Sequence, residues 1–261
     1  MGPILFNIYL SGLGQIISGH GIEHIIYADD IQLFVSSNPS DVASSIAKLE
    51  ACISDVKSHL TSLWLTLNES KTELIFLGPK RLTNKITSTG LKVGDALISP
   101  SDVVRDLGVM IDSSMTMSSH VKRIRQAAFG RLRLIARIRR SITLQHTALL
   151  VKSLVISHMT FCMPLLAGIT KKSLASLQQI IHTSVRLIHG LRKHDNIQSV
   201  IKKEGWIPVL SLIEVRVLSL TFSVLQSGRP SYLHSLLTKY VPTKALQSQK
   251  KSQLLVPRTV N

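Results

Sequence analysis

The chain has 261 residues and 44% hydrophobic content, enough apolar material to bury a real core, so wholesale disorder is excluded. Thirty-one Lys and Arg against fifteen Asp and Glu leave a net charge of +16, which points to a polyanionic partner such as nucleic acid or an acidic membrane surface. Two cysteines, Cys52 and Cys162, cannot build a disulfide framework or a four-ligand zinc site unaided. A reducing, intracellular compartment, nuclear or cytoplasmic, is the default expectation.

An apolar segment opens the chain at Ile4 with no cationic region ahead of it, and Phe6 stands where a myristoylation signal wants Ser or Thr. This predicts a chain that opens partway through a domain. Strand-like runs follow at 25–27 and 31–35. A long amphipathic helix then carries Val42, Ile46, Leu49, Ile53, Val56, Leu60, Leu63 and Leu67 at 3/4 spacing. A strand is predicted at 72–77. Gly94-Asp95, flanked by Leu91-Lys92-Val93 and Ala96-Leu97-Ile98, is a two-residue hairpin signal. One further strand is predicted at 103–111.

Beyond this point the pattern is helix after helix. Val121, Ile124, Ala128, Leu132, Ile135, Ile138 and Ile142 form one helical stripe, and Leu174, Leu177, Ile181, Val185 and Ile188 another. Pro164, Gly168, Gly190, Pro208, Gly228 and Pro230 punctuate them. No uninterrupted apolar run reaches the ~20 residues of a membrane span. The best candidate, 149–169, is broken by Lys152, His158 and Pro164 and reads as a buried helix. The last stretch, 246–261, is rich in Gln, Ser and Lys and reads as a flexible tail.

Charge divides the chain at the same place as the apolar pattern. Residues 1–112 hold eight basic and twelve acidic side chains, net −4, whereas 113–261 hold twenty-three and three, net +20. Polyanion affinity therefore belongs to the second part, and carboxylate-based metal chemistry to the first.

The sharpest local feature is Tyr27-Ala28-Asp29-Asp30 between two β-forming runs. A hairpin there would place both carboxylates at its tip, able to offer hard oxygen ligands to a divalent cation. An ordinary Asp-containing turn would give the same dipeptide. The surrounding segments decide between them: Gly2-Pro3-Ile4-Leu5-Phe6-Asn7-Ile8-Tyr9 lies ahead of the box, and Leu67-Asn68-Glu69-Ser70-Lys71-Thr72-Glu73 and Val104-Arg105-Asp106-Leu107-Gly108-Val109 follow it. In this order the segments resemble the reverse transcriptases of LINE-type (non-long-terminal-repeat) retrotransposons, with a weaker likeness continuing through His158 to Pro164, Trp206 to Val209 and Arg229 to Leu233.

The resemblance implies an α+β fold, with the later part of a polymerase palm over 1–112. A basic, thumb-like all-α region over 113–210 and a helical extension over 211–245 would follow. It implies two-metal nucleotidyl transfer with Mg²⁺ or Mn²⁺, an RNA template and a DNA primer. Asp29 matches the metal-ligating and Asp30 the supporting aspartate; Tyr27 and Ala28 would lie by the incoming nucleotide, Lys71 would serve the leaving group, and Leu107-Gly108 would grip the primer. A solvated lysine at a strand start is the plain alternative for Lys71. The family's other palm aspartate and its fingers precede the Gly-Pro segment, so the chain resembles an N-terminally truncated copy, expected to be inactive alone. Uncovered palm edges would favour association with another chain.

Residues 121–140 contain Lys122, Arg123, Arg125, Arg131, Arg133, Arg137, Arg139 and Arg140 and no acid. The helical row Arg133, Arg137, Arg140 could track a phosphate backbone. A solvated charged face or a membrane-surface helix is the alternative. The pairs His20/His24 and His158/Cys162 have i,i+4 spacing but too few ligands for a metal. A non-catalytic nucleic-acid-binding module built on the helical part is the alternative to a polymerase remnant.

Overall fold

The computed structural model describes residues 2–86, 90–238, 240 and 254–255. It divides into two compact units, Met1–His120 and Val121–Asn261. The first unit is α+β and the second is helical, the fold class the periodicities predict.

The first unit opens with α1 (Gly2–Tyr9) and α2 (Leu13–Gly19), followed by the hairpin β1 (Glu23–Tyr27) and β2 (Asp30–Phe34). The long helix α3 (Val42–Ser62) comes next. After a short α4 (Lys80–Thr83), the chain forms two more hairpins, β3 (Leu91–Val93) with β4 (Ala96–Ile98) and β5 (Val103–Asp106) with β6 (Val109–Asp112). Among the described residues the strands make three separate two-stranded antiparallel sheets.

α3 organises this unit because its apolar stripe serves two clusters. Cys52, Val56 and Leu60 pack with Leu10, Leu13, Ile17 and Ile22, while Val42, Ile46 and Ile53 pack with Leu91 and Val93. The helix stops at Ser62, short of Leu63 and Leu67, yet both still pack against the first cluster. The Gly94-Asp95 turn forms as predicted, with Val93 paired to Ala96. Gly94 is required there twice over: its φ is 59°, and a Cβ would collide with the Lys57–Glu69 ion pair.

Two strand expectations are corrected. The run at 72–77 forms no strand: among the described residues its pairing is limited to a single bridge, Leu74 to Pro100, with the Leu74 carbonyl accepting from the Ser101 N–H, too short a ladder for a strand. The run at 103–111 is a hairpin, not one strand. Leu107 (φ 42°) and Gly108 (φ 89°) turn the chain back, and Leu-Gly lacks the Asn or Asp that usually announces such a turn. The apolar face of α1 is uncovered, with Ile4, Leu5 and Ile8 all at least 60% exposed.

The second unit contains most of α5 (Ser118–Ile138), then α6 (Leu144–Val151), α7 (Ser157–Met159), α8 (Lys171–His189), α9 (Gln198–Lys203), α10 (Val209–Ser227) and α11 (Ser231–Ser235). Side-chain caps start two of them: Thr143 accepts from the His146 N–H and Thr170 from the Ser173 N–H. Gly190 ends α8 in the left-handed conformation. The buried faces of α5 and α8 follow the predicted stripes, including Ile124, Ala128 and Leu132 on α5 and Leu177, Ile181, Val185 and Ile188 on α8.

The single buried helix expected at 149–169 is replaced by α6, a π-helical turn Lys152–Ile156, α7 and a 3-10 turn Met163–Leu166. Val151, Val155, Met159, Met163 and Leu166 are buried, but Leu149, Leu154, Phe161 and Leu165 are exposed. α10, not this stretch, is long and apolar enough to cross a membrane by length and composition, with a mean hydropathy of 1.6. Glu214 and Arg216 interrupt its run, which hides it from a search for unbroken apolar sequence. The boundary drawn at 210/211 falls inside this continuous helix. The tail at 246–261 lies outside the described residues apart from Leu254 and Leu255.

Arg139, expected on the phosphate-tracking face, instead closes the end of α8. Its guanidinium donates to the carbonyls of Leu187 (3.1 Å), Ile188 (2.9 Å) and Ile142 (3.2 Å), two of which belong to the last turn of α8, where helical carbonyls lack partners. Arg139→Ala is expected to lower unfolding free energy by about 1–3 kcal/mol, and Arg137→Ala to change it by no more than about 0.5 kcal/mol. Chemical denaturation of the two variants checks the difference.

Candidate functional site

The β1–β2 register pairs Tyr27 with Asp30 and leaves Ala28-Asp29 as a two-residue turn. Ala28 sits at φ 54°, in the left-handed region that a non-glycine residue enters at some cost. Side chains alternate across the two strands. Ile26, Ile31 and Leu33 pack on the cluster formed with α2 and α3, while Ile25 and Tyr27 face away from it. The core thus fixes the plane of the hairpin and carries Asp29 and Asp30 to an exposed tip.

Asp30 and Gln32 are two apart on β2 and share the face opposite the core. There the Gln32 side-chain amide donates to the Asp106 carboxylate, which stands at the end of β5 immediately before the Leu107-Gly108 turn. Burial pushes the Asp106 carboxyl up, and the Asp30 charge pushes it further. The hairpin bearing the aspartates and the hairpin bearing the Leu107-Gly108 turn are therefore joined side chain to side chain. Sequence reasoning quoted the segment containing Asp106 but gave this residue no role. The available signal was an acid placed between an apolar run and a turn.

Lys71 does not join this group. It is exposed in a 3-10 turn, Glu69–Lys71, and makes no hydrogen bond or ion pair with Asp29 or Asp30. Its neighbour Glu69 is the engaged member of that segment, paired to Lys57 at 2.6 Å. Tyr27 is 64% exposed beside the aspartates, and Leu107 is 43% exposed at its turn.

In the helical unit the basic side chains divide into two kinds. Lys122, Arg125, Arg133, Arg137 and Arg140 are exposed. The Arg125 guanidinium lies over the Phe129 ring at 5.5 Å, and Arg133 donates to the Phe129 carbonyl at 3.3 Å. Arg131 is held inward, donating to the Leu154 carbonyl in the π-helical turn at 2.7 Å. With Arg123 it holds the His158 ring, already lowered by burial, below its ordinary range. Arg131 and Arg139 are thereby removed from the eight side chains expected to bind nucleic acid, because helix-end and π-turn carbonyls recruit them.

The histidine pairs do not form on helix faces. His20 bonds Asp55 at 2.8 Å while His24 lies on β1. Cys162 lies beyond the end of α7 at φ 50°.

Residues 1–111 fit the family model for reverse transcriptase (RNA-dependent DNA polymerase). Comparison with curated proteins gives no match, and neither does comparison with solved structures. That family implies a divalent metal. The exposed Asp29 and Asp30 carboxylates are suitable oxygen donors, but among the described residues no group of three or more His, Cys, Asp or Glu side chains is placed to hold an ion. The described donors do not by themselves fit a two-metal centre.

The folded protein binds the Asp106 proton more tightly than the unfolded chain does. Stability is therefore lost as pH rises from the ordinary aspartate range through the raised Asp106 value. Asp106→Asn keeps an oxygen that can accept from Gln32 and carries no charge. The variant is expected to melt with the parent in acid and above it at neutral pH; curves that stay parallel across that range would contradict the assignment.

Proposed function

We propose that the chain is part of a reverse transcriptase of the LINE (non-long-terminal-repeat) type, comprising the later portion of its palm and a thumb-like helical region. The observation that carries this reading is an aspartate pair presented at a hairpin tip, inside the stretch that matches the reverse-transcriptase family. Tyr27-Ala28-Asp29-Asp30 is then the catalytic box. Asp29 and Asp30 are this chain's contribution to a Mg²⁺ or Mn²⁺ site, with Tyr27 and Ala28 beside the nucleotide. Leu107-Gly108 forms the primer-gripping turn. Lys71 keeps its family role only if its turn is brought to the aspartates.

The chain alone is inactive on this reading, since its described donors leave the metal shell incomplete and metals supply much of the charge stabilisation in such chemistry. It works on primer and template inside the cell, in the nucleus or cytoplasm. A second reading is favoured by the exposed cations of α5 and of the 3-10 turn Arg139–Ser141 that follows it: a binding module without catalysis, in which Lys122, Arg125, Arg133 and Arg137 on the helix and Arg140 in the turn follow a phosphate backbone. Arg123 stands beside His158 and adds charge from a less exposed position.

Two assays on the purified chain test these readings. Primer extension on a primed RNA template with Mg²⁺ or Mn²⁺ is expected to give no product; synthesis that disappears in Asp29→Ala would overturn the inactivity. Binding to an RNA–DNA duplex is expected to weaken with salt, and the combined Arg133→Ala, Arg137→Ala, Arg140→Ala variant should reduce the slope of log K against log salt by about 0.9 for each phosphate contact removed. A parent slope near zero sinks the nucleic-acid reading.

A further inference from the structure

The helical unit contains a cavity of about 400 Å³ between α8, α9 and the start of α10, within the size range of small-molecule sites. Apolar side chains from all three elements form its walls, and the Trp206 indole closes one side. Trp206 is held in place: its ring N–H donates to Glu204 at 3.2 Å and its backbone N–H to the Ile201 carbonyl at 3.0 Å. The polar groups of the cavity are equally well oriented. The Gln178 side-chain oxygen accepts from the Val209 N–H at 2.9 Å, which fixes its amide nitrogen toward His182 Nε2 at 3.1 Å.

That arrangement sets the protonation state. Gln178 can donate to His182 Nε2 only if that nitrogen is bare, so the ring is neutral with its proton on Nδ1. Burial, and then Arg186, lower the His182 pKa in agreement. Gln178 retains a second amide N–H. Gln198, also in the lining, makes no side-chain hydrogen bond among the described residues. The cavity therefore combines a fixed aromatic face with amide donors and acceptors. Its surroundings are basic: Lys171 and Lys172 open α8, and Lys202 and Lys203 close α9, all exposed.

The geometry points to a pocket for one unstacked base of a single-stranded nucleic acid, stacked against Trp206, hydrogen-bonded by the Gln178 and Gln198 amides, with its flanking phosphates on the four lysines. A flat heteroaromatic ring suits the indole face, the amides suit its polar edge, and the lysines suit the charge on either side. This rests on the nucleic-acid reading of the helical unit. It goes beyond that reading by adding a base-contacting pocket to the backbone-contacting face of α5.

The test uses the full chain with Trp64→Phe, which leaves Trp206 as the sole tryptophan; Trp64 is 94% exposed and its ring packs on little. A short single-stranded oligonucleotide is expected to quench Trp206 fluorescence, and an abasic strand of the same length and charge is not. Trp206→Ala should weaken single-strand binding about tenfold, as loss of one stacked base does. Trp206→Phe should retain most of the affinity. Ala175→Phe, which adds a ring to the cavity wall and leaves Trp206 in place, should reproduce the loss if the fold of the first variant is in doubt. Duplex binding through α5 is expected to be unchanged in all three. Equal quenching by the abasic strand, unaltered single-strand affinity in the variants, or quenching by an apolar peptide but not by the oligonucleotide overturns the pocket while leaving the duplex reading intact. Loss of duplex binding in the parent chain overturns both.

Discussion

The first unit depends on a single helix being apolar along two adjoining strips. Each well-buried aliphatic side chain contributes about 1.5–3 kcal/mol relative to exposure, and α3 spends its apolar side chains on two clusters rather than one. The cluster around Cys52, Val56 and Leu60 seats α2 and the β1–β2 hairpin, and the cluster around Val42, Ile46 and Ile53 seats β3. Two of the three small sheets, which share no strand pairing, are thus held on α3 by side-chain packing, while the β5–β6 hairpin is tied to β2 by the bond from Gln32 to Asp106. The position of Asp29 and Asp30 is inherited from that packing, through Ile26, Ile31 and Leu33.

Electrostatics acts differently in the two units. In the first, burial and then the Asp30 charge raise the pKa of the Asp106 carboxyl, which accepts from Gln32. In the second, there are many cations and few acids, so much of the charge can be settled only by backbone carbonyls or by an external anion. Arg131 and Arg139 take the first course. The exposed arginines of α5 are left for the second. A net charge therefore overstates how many side chains are available to a polyanion.

What could be read from the sequence follows from how local each signal was. The Asp29-Asp30 hairpin, α3 and the Gly94-Asp95 turn are set by residues within a few positions of one another; the two turns form as read, and α3 forms but stops at Ser62, short of Leu63 and Leu67. The Leu107-Gly108 turn is hidden inside an apolar run that predicts strand, because Leu is a poor indicator of a left-handed position. Asp106 acquires its meaning from Gln32, seventy-four positions away, and periodicity carries no information at that range. The same limit applies to Arg139, whose partners lie on α8, and to the pocket beside Trp206, whose walls are brought together from three helices. The region 149–169 failed for another reason. Its apolar content is sufficient for a buried helix, but Cys162 at a positive φ and Pro164 divide it into short turns.

The left-handed backbone at Ala28 also governs which sequence changes the hairpin tip can absorb. Glycine relieves the steric conflict between Cβ and the following carbonyl, and Asn or Asp tolerates it, whereas Val or Ile would add a branched Cβ to an already crowded conformation. Drift at this codon is therefore directional: replacements toward small or amide side chains leave the turn standing, while β-branched replacements dismantle it before either aspartate is altered.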